Sequence, residues 1–442
     1  MKTVFIKNFG CKVNAFDGQV LTDIFLKEGF ALAETYKAAD IVVLNTCAVT
    51  KNAEKEVLYV AKRIKRETPH TLVAMTGCYA KIAEKDLAEN NLFDLIVPHE
   101  KKGQLPKIVK DYMKIGIRDL NRKEGQSLLS QEPVFFGASC STNTRAFIKV
   151  QDGCDSYCSY CIVPFARGHS VSVPLESVLC EVRRQIARGT KEVVLTGVHI
   201  GNYGKDIGDG KTLNLSMLMR EIFSIEGFFR VRLSSLEIND MTDDLMQCLA
   251  LHRDMFCDHL HLPLQSGSSR ILKLMNRHYT PEDFLAVVNK FRTVFPRASI
   301  GSDVIVGFPG EEAEDFELTL KSLTDVDIAY CHVFPFSSRP MTKAAEMPKK
   351  VASPIIKHRA KVLRDFGEER LNAYTRSFLG QTMEVLWEGD RDEEERPLGK
   401  TRNYLTVAYE GEGAPEKGTL NLVYLKQLSK DGNIIGRTPR EF

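Results

Sequence analysis

The sequence predicts an α/β protein in three parts: a small N-terminal parallel α/β domain, a central open partial barrel of six β/α units, and a small all-β C-terminal domain of the OB type. Three observations carry this expectation. Short apolar runs alternate with helical patterns from residue 1 to about 100, the signature of a parallel sheet wound with helices. Six further strand-like runs, each followed by a helical segment, recur between Thr144 and Phe336. The tail from residue 374 carries strand-like runs separated by glycines, which suits a small closed barrel.

The N-terminal runs are TVFIKNF, DIVVLNT and TLVAMTG, assigned to a domain over residues 1–118. A charged, weakly patterned linker spans residues 119–139. The core, residues 140–373, holds RAFIKVQ, EVVLTGV, FRVRLSS, DHLHLPL, SIGSDVIVGF and AYCHVFPF. Six units are too few for a closed eight-fold barrel of ~250 residues, so an open barrel is expected. A polar helical segment leads into the last domain, residues 374–442, with MEVLWEG, YLTVAYEG, TLNLVYLKQ and NIIGRT as its strands.

The chain has 442 residues, 43% hydrophobic and 27% charged, a balance that supports more than one core. Its opening alternates apolar and polar residues, and no run approaches the ~18 apolar residues of a membrane span. A soluble, cytoplasmic protein without a membrane partner is the expectation. The formal net charge of +2 gives no global nucleic-acid signature, so any RNA contact has to be a local patch. Eleven cysteines in a chain of this length and class point to metal or redox chemistry rather than to a disulfide framework.

Cys154, Cys158 and Cys161 follow the first barrel strand in QDGCDSYCSYC. A [4Fe-4S] cluster ordinarily takes four thiolates, so a triad leaves one iron open. The amino and carboxylate groups of S-adenosylmethionine can chelate such an iron, where one electron cleaves the sulfonium to a deoxyadenosyl radical. A structural zinc site with a distant fourth ligand is the alternative. Tyr160 is placed to pack on the adenine. The other strands end in polar or glycine-rich sequence, where barrel chemistry sits, which nominates Thr196, Gly197, Ser234, Ser235, Gln265 and Asp303 as cofactor contacts. His199, His259, His261 and His332 lie in or near strands and are read as packing or hydrogen-bonding groups.

A second triad is dispersed. Cys11, Cys47 and Cys78 are 36 and 31 residues apart, yet each directly follows an N-terminal strand, in NFGC, LNTC and MTGC. In an open parallel sheet the C-terminal strand ends share one edge, so three thiolates can converge there. Three unrelated buried thiols are the alternative. Cys140, Cys180, Cys248, Cys257 and Cys331 share no spacing and are read as structural.

With these motifs the chain resembles the methylthiotransferase family of radical S-adenosylmethionine enzymes over nearly its whole length. GCKVN, NTC and TGCYA are similar to that family's auxiliary-cluster domain; QDGC with CSYC, LTGVHIGNYG, HLPLQSGS, MNRHY and DVIVGFPGE resemble its radical core; the tail resembles its TRAM domain. GCKVN and HVFPFS resemble the tRNA threonylcarbamoyladenosine branch. The resemblance implies two [4Fe-4S] clusters and two molecules of S-adenosylmethionine, and it assigns the cluster on Cys11, Cys47 and Cys78 to sulfur. One S-adenosylmethionine would methylate a sulfur there, and a second would supply the radical that opens C2 of the adenine at position 37. The partners implied are a tRNA anticodon stem-loop, a low-potential electron donor such as flavodoxin or ferredoxin, and a sulfur donor. Isopentenyladenosine tRNA and a ribosomal-protein aspartate are the rival substrates; a zinc-containing RNA-binding protein is the rival of another class. RNA recognition falls to local basic and aromatic residues, namely Arg376, Lys400, Arg402, Tyr404, Lys426, Arg437 and Arg440, with the acidic run Asp390 to Glu395 as a solvated loop. Ser338 and Met341 stand where the family pattern has Pro and Gly. Met341 therefore has to bear a left-handed backbone or change the loop.

Overall fold

The structure is a computed structural model that describes residues 1–10, 12–83, 87, 91–115, 144–207 and 213–439. Cys11, Cys140, Arg440 and the 119–139 linker lie outside the described residues. No helix among the described residues is long and apolar enough to cross a membrane.

The N-terminal sheet contains β1 (Thr3–Asn8), β2 (Ala31–Leu32), β3 (Ile41–Thr46), β4 (Leu72–Gly77) and β5 (Leu95–Pro98), all parallel in the order β2-β1-β3-β4-β5. The three anticipated strands form its centre. β3, IVVLNT, is buried along its whole length, as a strand covered on both faces must be. Leu21, Phe25 and Val109 cover one face with Val4, Ile41 and Val43. Val57, Ala61 and Ile64 cover the other with Val42, Leu44 and Met75. Each Val, Leu, Ile, Phe or Met side chain so buried contributes about 1.5–3 kcal/mol. The edge strands β2 and β5 are too short to carry a period and escape sequence reading.

The core strands are β6 (Arg145–Asp152), β8 (Glu192–Gly197), β9 (Arg230–Leu233), β10 (His259–His261), β11 (Ser299–Val306) and β12 (Tyr330–Pro335), with β7 (Val171–Ser172) antiparallel to the end of β6. β6, β8 and β9 pair in parallel, as do β10, β11 and β12; single bridges, Val231 to Phe256 and Ser235 to His261, join the two groups into an open arc. These are the six runs expected from sequence. Val193, Leu195, Val231, Leu233, Leu260, Ile300 and Val304 face the surrounding helices in one large core. Alternation then turns Lys149, Thr196, Arg232, Ser234, His261, Asp303 and His332 into the lumen. The lumen is polar, and its upper rim is the strand C-terminal edge.

The last domain is a closed barrel, β13 (Thr382–Arg391), β14 (Pro397–Thr401), β15 (Thr406–Tyr409), β17 (Ile434–Arg437) and β16 (Leu420–Leu428), in that circular order. It closes on Val385, Trp387, Val407, Val423 and Ile434. β14, PLGKT, is the strand sequence reading missed, because Pro and Gly both argue against a strand interior. Gly399 is required there: a Cβ would sit 2.5 Å from Val385 Cγ1.

This barrel docks under the lumen, at the strand N-terminal ends. Glu192, fully buried, accepts from Arg230 Nε and Arg232 Nε, each at 2.7 Å. Arg230 also donates to Glu384 at 3.2 Å and to the Lys400 carbonyl at 2.9 Å, and Arg232 Nη1 donates to the Arg402 carbonyl at 3.0 Å. Burial alone would raise the Glu192 carboxyl, but Arg232 and Arg230 outweigh it and hold it at about 2. A depressed carboxyl stabilises fully above its unfolded value of ~4.3, and that contribution is lost as pH falls from there to about 2. Glu192→Gln should therefore release the C-terminal barrel at neutral pH, with a cost of ~3–5 kcal/mol for the broken buried group. Limited proteolysis, with Trp387 as the chain's single tryptophan reporter, checks this; unchanged cleavage of the variant at pH 7 would contradict it.

Candidate cluster site

The loop after β6 gathers three thiols. Gly153 has φ 70°, and a Cβ on it would stand 1.9 Å from the His169 carbonyl oxygen, so the chain can double back only with glycine there. The loop is then held by Cys154 N to the Gly168 carbonyl at 3.1 Å, Cys161 N to the Cys158 carbonyl at 2.9 Å and Ser159 N to the Met275 carbonyl at 3.0 Å. Each thiol has a different environment. Cys154 Sγ lies 3.8 Å from His199 Nδ1, whose Nε2 is 2.6 Å from Asp240 Oδ2. Burial lowers His199, but its hydrogen bonds to Asp240 and Cys154 and the charges of Asp240 and Glu237 together outweigh it and raise it to about 9. Cys158 Sγ accepts from Arg277 Nη1 at 3.3 Å, and Arg277 pairs with Glu237. Burial pushes Cys161 up to about 12, with the two other thiols adding to the rise. Thiols that disfavour one another's ionisation while cations stand beside them suit a shared positive metal centre.

The second set lies at the sheet edge. Cys47 follows β3 and Cys78 follows β4, while Gly10 ends the segment after β1. Gly10 has φ 87°, and a Cβ on it would fall 2.6 Å from Cys47 Sγ, so the backbone leading to residue 11 crosses directly over that thiol. Gly77, at φ 99°, passes as closely over Thr46: its Cβ would be 2.4 Å from the Thr46 carbonyl oxygen. Asn45 Oδ1 and Thr76 Oγ1 are buried here with no hydrogen-bond partner among the described residues. Polar atoms left like this mark a place for a bound group.

A buried charge network ties the two sets together. Arg167, on the short helix Val163–Arg167 after Cys161, donates from Nε to Cys78 Sγ at 3.3 Å, from Nη1 to Asp152 at 2.7 Å and from Nη2 to Asp17 at 3.1 Å. Lys149 donates to Asp17 at 2.7 Å and Asp152 at 2.9 Å, and Lys102 to Asp17 at 3.0 Å. All five side chains are essentially without solvent. Burial would raise both carboxyls, but the neighbouring cations hold them well below the usual carboxylate range. Burial, with Arg167 and Lys102 adding, pushes His99 down to about 4, so it is neutral. Among the described residues the network thus carries one positive charge in excess. Cys78 Sγ borders this excess, accepting from Arg167 Nε.

A cavity of about 190 Å³ reaches Cys161 of the first set and the segment just past Cys47 of the second. Val49 and Thr50, just past Cys47, form one wall; Tyr160 and Cys161 form another; Gln265, Asp303 and Phe334 complete it. Gln265 holds φ 63° between two strand bonds, from its N to the Asp303 carbonyl and from Ile305 N to its own carbonyl, at 2.8 and 2.9 Å. Gln265 is thus a non-glycine held in the left-handed region at the cavity wall, where the two strand bonds carry the strain.

Residues 148–323 match the Radical SAM superfamily and residues 3–98 match Uncharacterized protein family UPF0004. A relative from Aquifex aeolicus, "Threonylcarbamoyladenosine tRNA methylthiotransferase MtaB", is 36% identical over 416 residues, covering 93% of this chain and 97% of its own. The chain belongs to the radical S-adenosylmethionine methylthiotransferase family, in its MtaB branch. The Bacillus subtilis relative with the same name is 32% identical over 93% of this chain and 91% of its own. A Clostridium botulinum relative, "tRNA-2-methylthio-N(6)-dimethylallyladenosine synthase", is 33% identical over 92% and 91%. The radical S-adenosylmethionine methyltransferase TsrM of Kitasatospora setae, solved with cobalamin and a [4Fe-4S] cluster, shares the fold at TM-score 0.56 and 15% identity over 78% of this chain and 77% of that one.

For this methylthiotransferase the family implies a [4Fe-4S] cluster and S-adenosylmethionine, and the residues fit both. Besides the clustered thiols, Thr196 Oγ1 and Ser234 Oγ are buried at the tops of β8 and β9 with no partner among the described residues, as a polar ligand would leave them before binding. Of the other nominated contacts, Tyr160, Gln265 and Asp303 line the cavity. Tyr160 packs on the cluster of Ile271, Met275 and Phe308. Gly197 leaves space, since a Cβ would meet the Gln151 carbonyl at 2.9 Å. Ser235 is exposed, bridging β9 to His261. Sequence reading missed Arg277, Glu237, Asp240 and Arg167 as thiol neighbours. Arg167 had a signal, a lone cation six residues past Cys161, and Arg277 lies within the MNRHY motif; Glu237 and Asp240 had none beyond their strand-end segment.

The basic residues of the tail divide. Lys400, Arg402 and Tyr404 are turned to the core: Arg402 donates to the carbonyls of Asp254 and Phe256 at 2.6 Å, and the Tyr404 ring lies 4.7 Å from His259. Lys400 Nζ lies 4.9 Å from the Tyr404 ring centre. Arg376 and Lys426 are exposed, the latter paired with Glu410 at 2.9 Å, and Arg437 covers Tyr424. After β12, Met341 takes φ 65° and is 61% exposed, so the loop keeps its left-handed turn at a cost of ~1–3 kcal/mol.

Proposed function

We propose that this methylthiotransferase inserts a methylthio group at C2 of the adenine of N6-threonylcarbamoyladenosine-37 in tRNA, consuming two molecules of S-adenosylmethionine. Cys154, Cys158 and Cys161 hold the radical-generating [4Fe-4S] cluster; Cys11, Cys47 and Cys78 hold a second one for sulfur. The observation that carries this reading is the cavity itself, walled by Cys161 on one side and by the residues just past Cys47 on the other. When bound, the groups supply an electron to S-adenosylmethionine, a radical able to take hydrogen from an aromatic carbon, and a sulfur to replace it.

The chain's own residues position and shield. Tyr160 packs on the cofactor, and Thr196, Gly197, Ser234, Ser235, Gln265 and Asp303 border cofactor and base. Arg277 and His199 offer hydrogen bonds to thiolate ligands, which lowers the charge cost of a buried cluster. The target base has to leave its stacked loop to enter the cavity, and exposed Tyr157 and Phe334 offer stacking faces for loop bases. Arg376, Lys426, Arg437 and Arg440 supply cations for the RNA backbone, with Lys400, Arg402 and Tyr404 holding their domain in place. In this reading residues 1–118 carry the sulfur cluster, 140–373 the radical chemistry and 374–442 the RNA contacts, joined by 119–139. A low-potential electron donor such as flavodoxin or ferredoxin and a sulfur donor complete the system.

Isopentenyladenosine is the second reading, because the Clostridium botulinum dimethylallyladenosine relatives are nearly as similar as those of the MtaB name. Mass spectrometry of tRNA nucleosides from a deletion strain separates the two. The expected result is loss of the methylthio form of threonylcarbamoyladenosine and its return on complementation. Loss from the isopentenyl nucleoside instead would overturn the substrate.

A further inference from the structure

The two cysteine sets sit in different electrostatic surroundings. Beside the first, among the described residues, each cation has a carboxylate of its own. Arg277, which donates to Cys158 Sγ at 3.3 Å, pairs with Glu237, and His199, 3.8 Å from Cys154 Sγ, lies 2.6 Å from Asp240. Beside the second, three cations, Arg167, Lys149 and Lys102, share the two carboxylates of Asp17 and Asp152. These five side chains are at most 2% exposed, so solvent does little to screen the positive charge left over.

Arg167 brings that charge to a sulfur. Its Nε donates to Cys78 Sγ at 3.3 Å, while Asp152 and Asp17 accept from Nη1 and Nη2 at 2.7 and 3.1 Å. A planar guanidinium held on two sides keeps its remaining edge on the sulfur. Its backbone is fixed as well. Arg167 ends the short helix that begins two residues after Cys161, and Ile162 and Ala166 pack there with Ala48 and Cys78. Gly168, which follows at φ 81°, accepts from Cys154 N at 3.1 Å through its carbonyl. Arg167 is thus carried by the loop of the first set and bonded to a thiol of the second.

We infer that Arg167 is a positioning residue that raises the electron affinity of the cluster on Cys11, Cys47 and Cys78, acting through Cys78 with the excess charge of its buried network; this rests on the two-cluster reading above. Net charge, hydrogen bonds to sulfur and solvent exposure set the potential of an iron-sulfur cluster, and here all three meet at one side chain. Positive charge beside the sulfur favours the reduced state. The reaction gives that affinity a use. Once the C2 hydrogen has gone to the deoxyadenosyl radical, the carbon brings one electron to the new bond and the methylthio sulfur brings a pair. The C–S bond takes two of the three, and the third stays with the iron centre that gives up the sulfur. Surroundings that hold this electron favour release of the product over return of the sulfur.

The test uses the full-length chain with Cys158→Ala, reconstituted anaerobically so that the second set alone holds a cluster, in a redox titration followed by electron paramagnetic resonance. Adding Arg167→Gln, which keeps an amide donor but not the charge, should weaken one-electron uptake at least about tenfold, a fall of ~59 mV in potential. Asp17→Asn removes a negative charge from the same network and should shift the potential the other way. Arg167→Lys keeps the charge and should stay closer to the parent than Arg167→Gln does. A merely structural role would not give shifts of opposite sign. An unchanged potential in Arg167→Gln overturns the inference, as does a shift of the same sign in Arg167→Gln and Asp17→Asn. If Arg167→Gln binds no iron, Lys102→Gln, which removes another cation of the network, takes its place; the same fall is expected, and an unchanged potential again overturns the inference. The two-cluster reading fails separately: a Cys158→Ala chain that binds no iron, or whose iron survives Cys78→Ala, removes the second cluster and this inference with it.

Discussion

Cys158→Ala should abolish deoxyadenosine formation and lower the iron content from about eight to about four per chain. The expectation follows from ligand number. A triad already leaves one iron to S-adenosylmethionine, so removing a further thiolate leaves two protein ligands for four irons, and a cluster so held is lost. Cys158 is also the thiolate to which Arg277 donates at 3.3 Å; with alanine there, Arg277 keeps Glu237 but loses its sulfur partner. The converse variant separates the two sites. Cys78→Ala should lower the iron to the same level yet retain deoxyadenosine formation, with no methylthiolated product. Anaerobic iron and sulfide analysis together with chromatography of the nucleoside checks both. Zinc in place of iron and labile sulfide in wild type, or deoxyadenosine from Cys158→Ala, would end the radical reading.

Much of this site was legible because its signals are local to strand ends. A strand announces itself by alternation or by an apolar run, and the residue after it is fixed to the sheet's C-terminal edge whatever the rest of the chain does. That is why Cys47 and Cys78, far apart in sequence, could be expected together. Tyr160, Gln265 and Asp303 were placed by the same logic, and the structure sets all three in the cavity wall. The legible part ends where meaning depends on a partner across domains. Nothing near Lys102 or Asp17 in sequence says that each is buried against the other, 85 positions away. Arg402 and Tyr404 read as an RNA face because a basic and an aromatic residue in a β domain have the same composition whether they meet RNA or the floor of a barrel. β14 was hidden by Pro397 and Gly399, the second of which is what lets it pass beneath Val385.

Arg167→Met should destabilise the cluster-free protein by ~3–5 kcal/mol, the range for breaking a buried ion network by removing one member. Met keeps the length and most of the volume of the side chain, so lost packing contributes little and the change is chiefly in charge. The variant leaves Asp17 and Asp152 with Lys102 and Lys149 alone, and both carboxylates lose a hydrogen bond of 2.7 to 3.1 Å in a region with no water to replace it. Cys78 loses its donor at 3.3 Å as well. Chemical denaturation measures the cost. The electrostatic origin is isolated by adding Asp17→Asn, which removes a negative charge next to the missing positive one. If the Arg167–Asp17 contact is the cause, the double variant should lose less than the sum of the two single losses, a coupling of ~1–3 kcal/mol. Additive losses would assign the effect to packing. An Arg167→Met variant within ~0.5 kcal/mol of wild type would mean that the network does not stabilise the junction between the two cysteine sets.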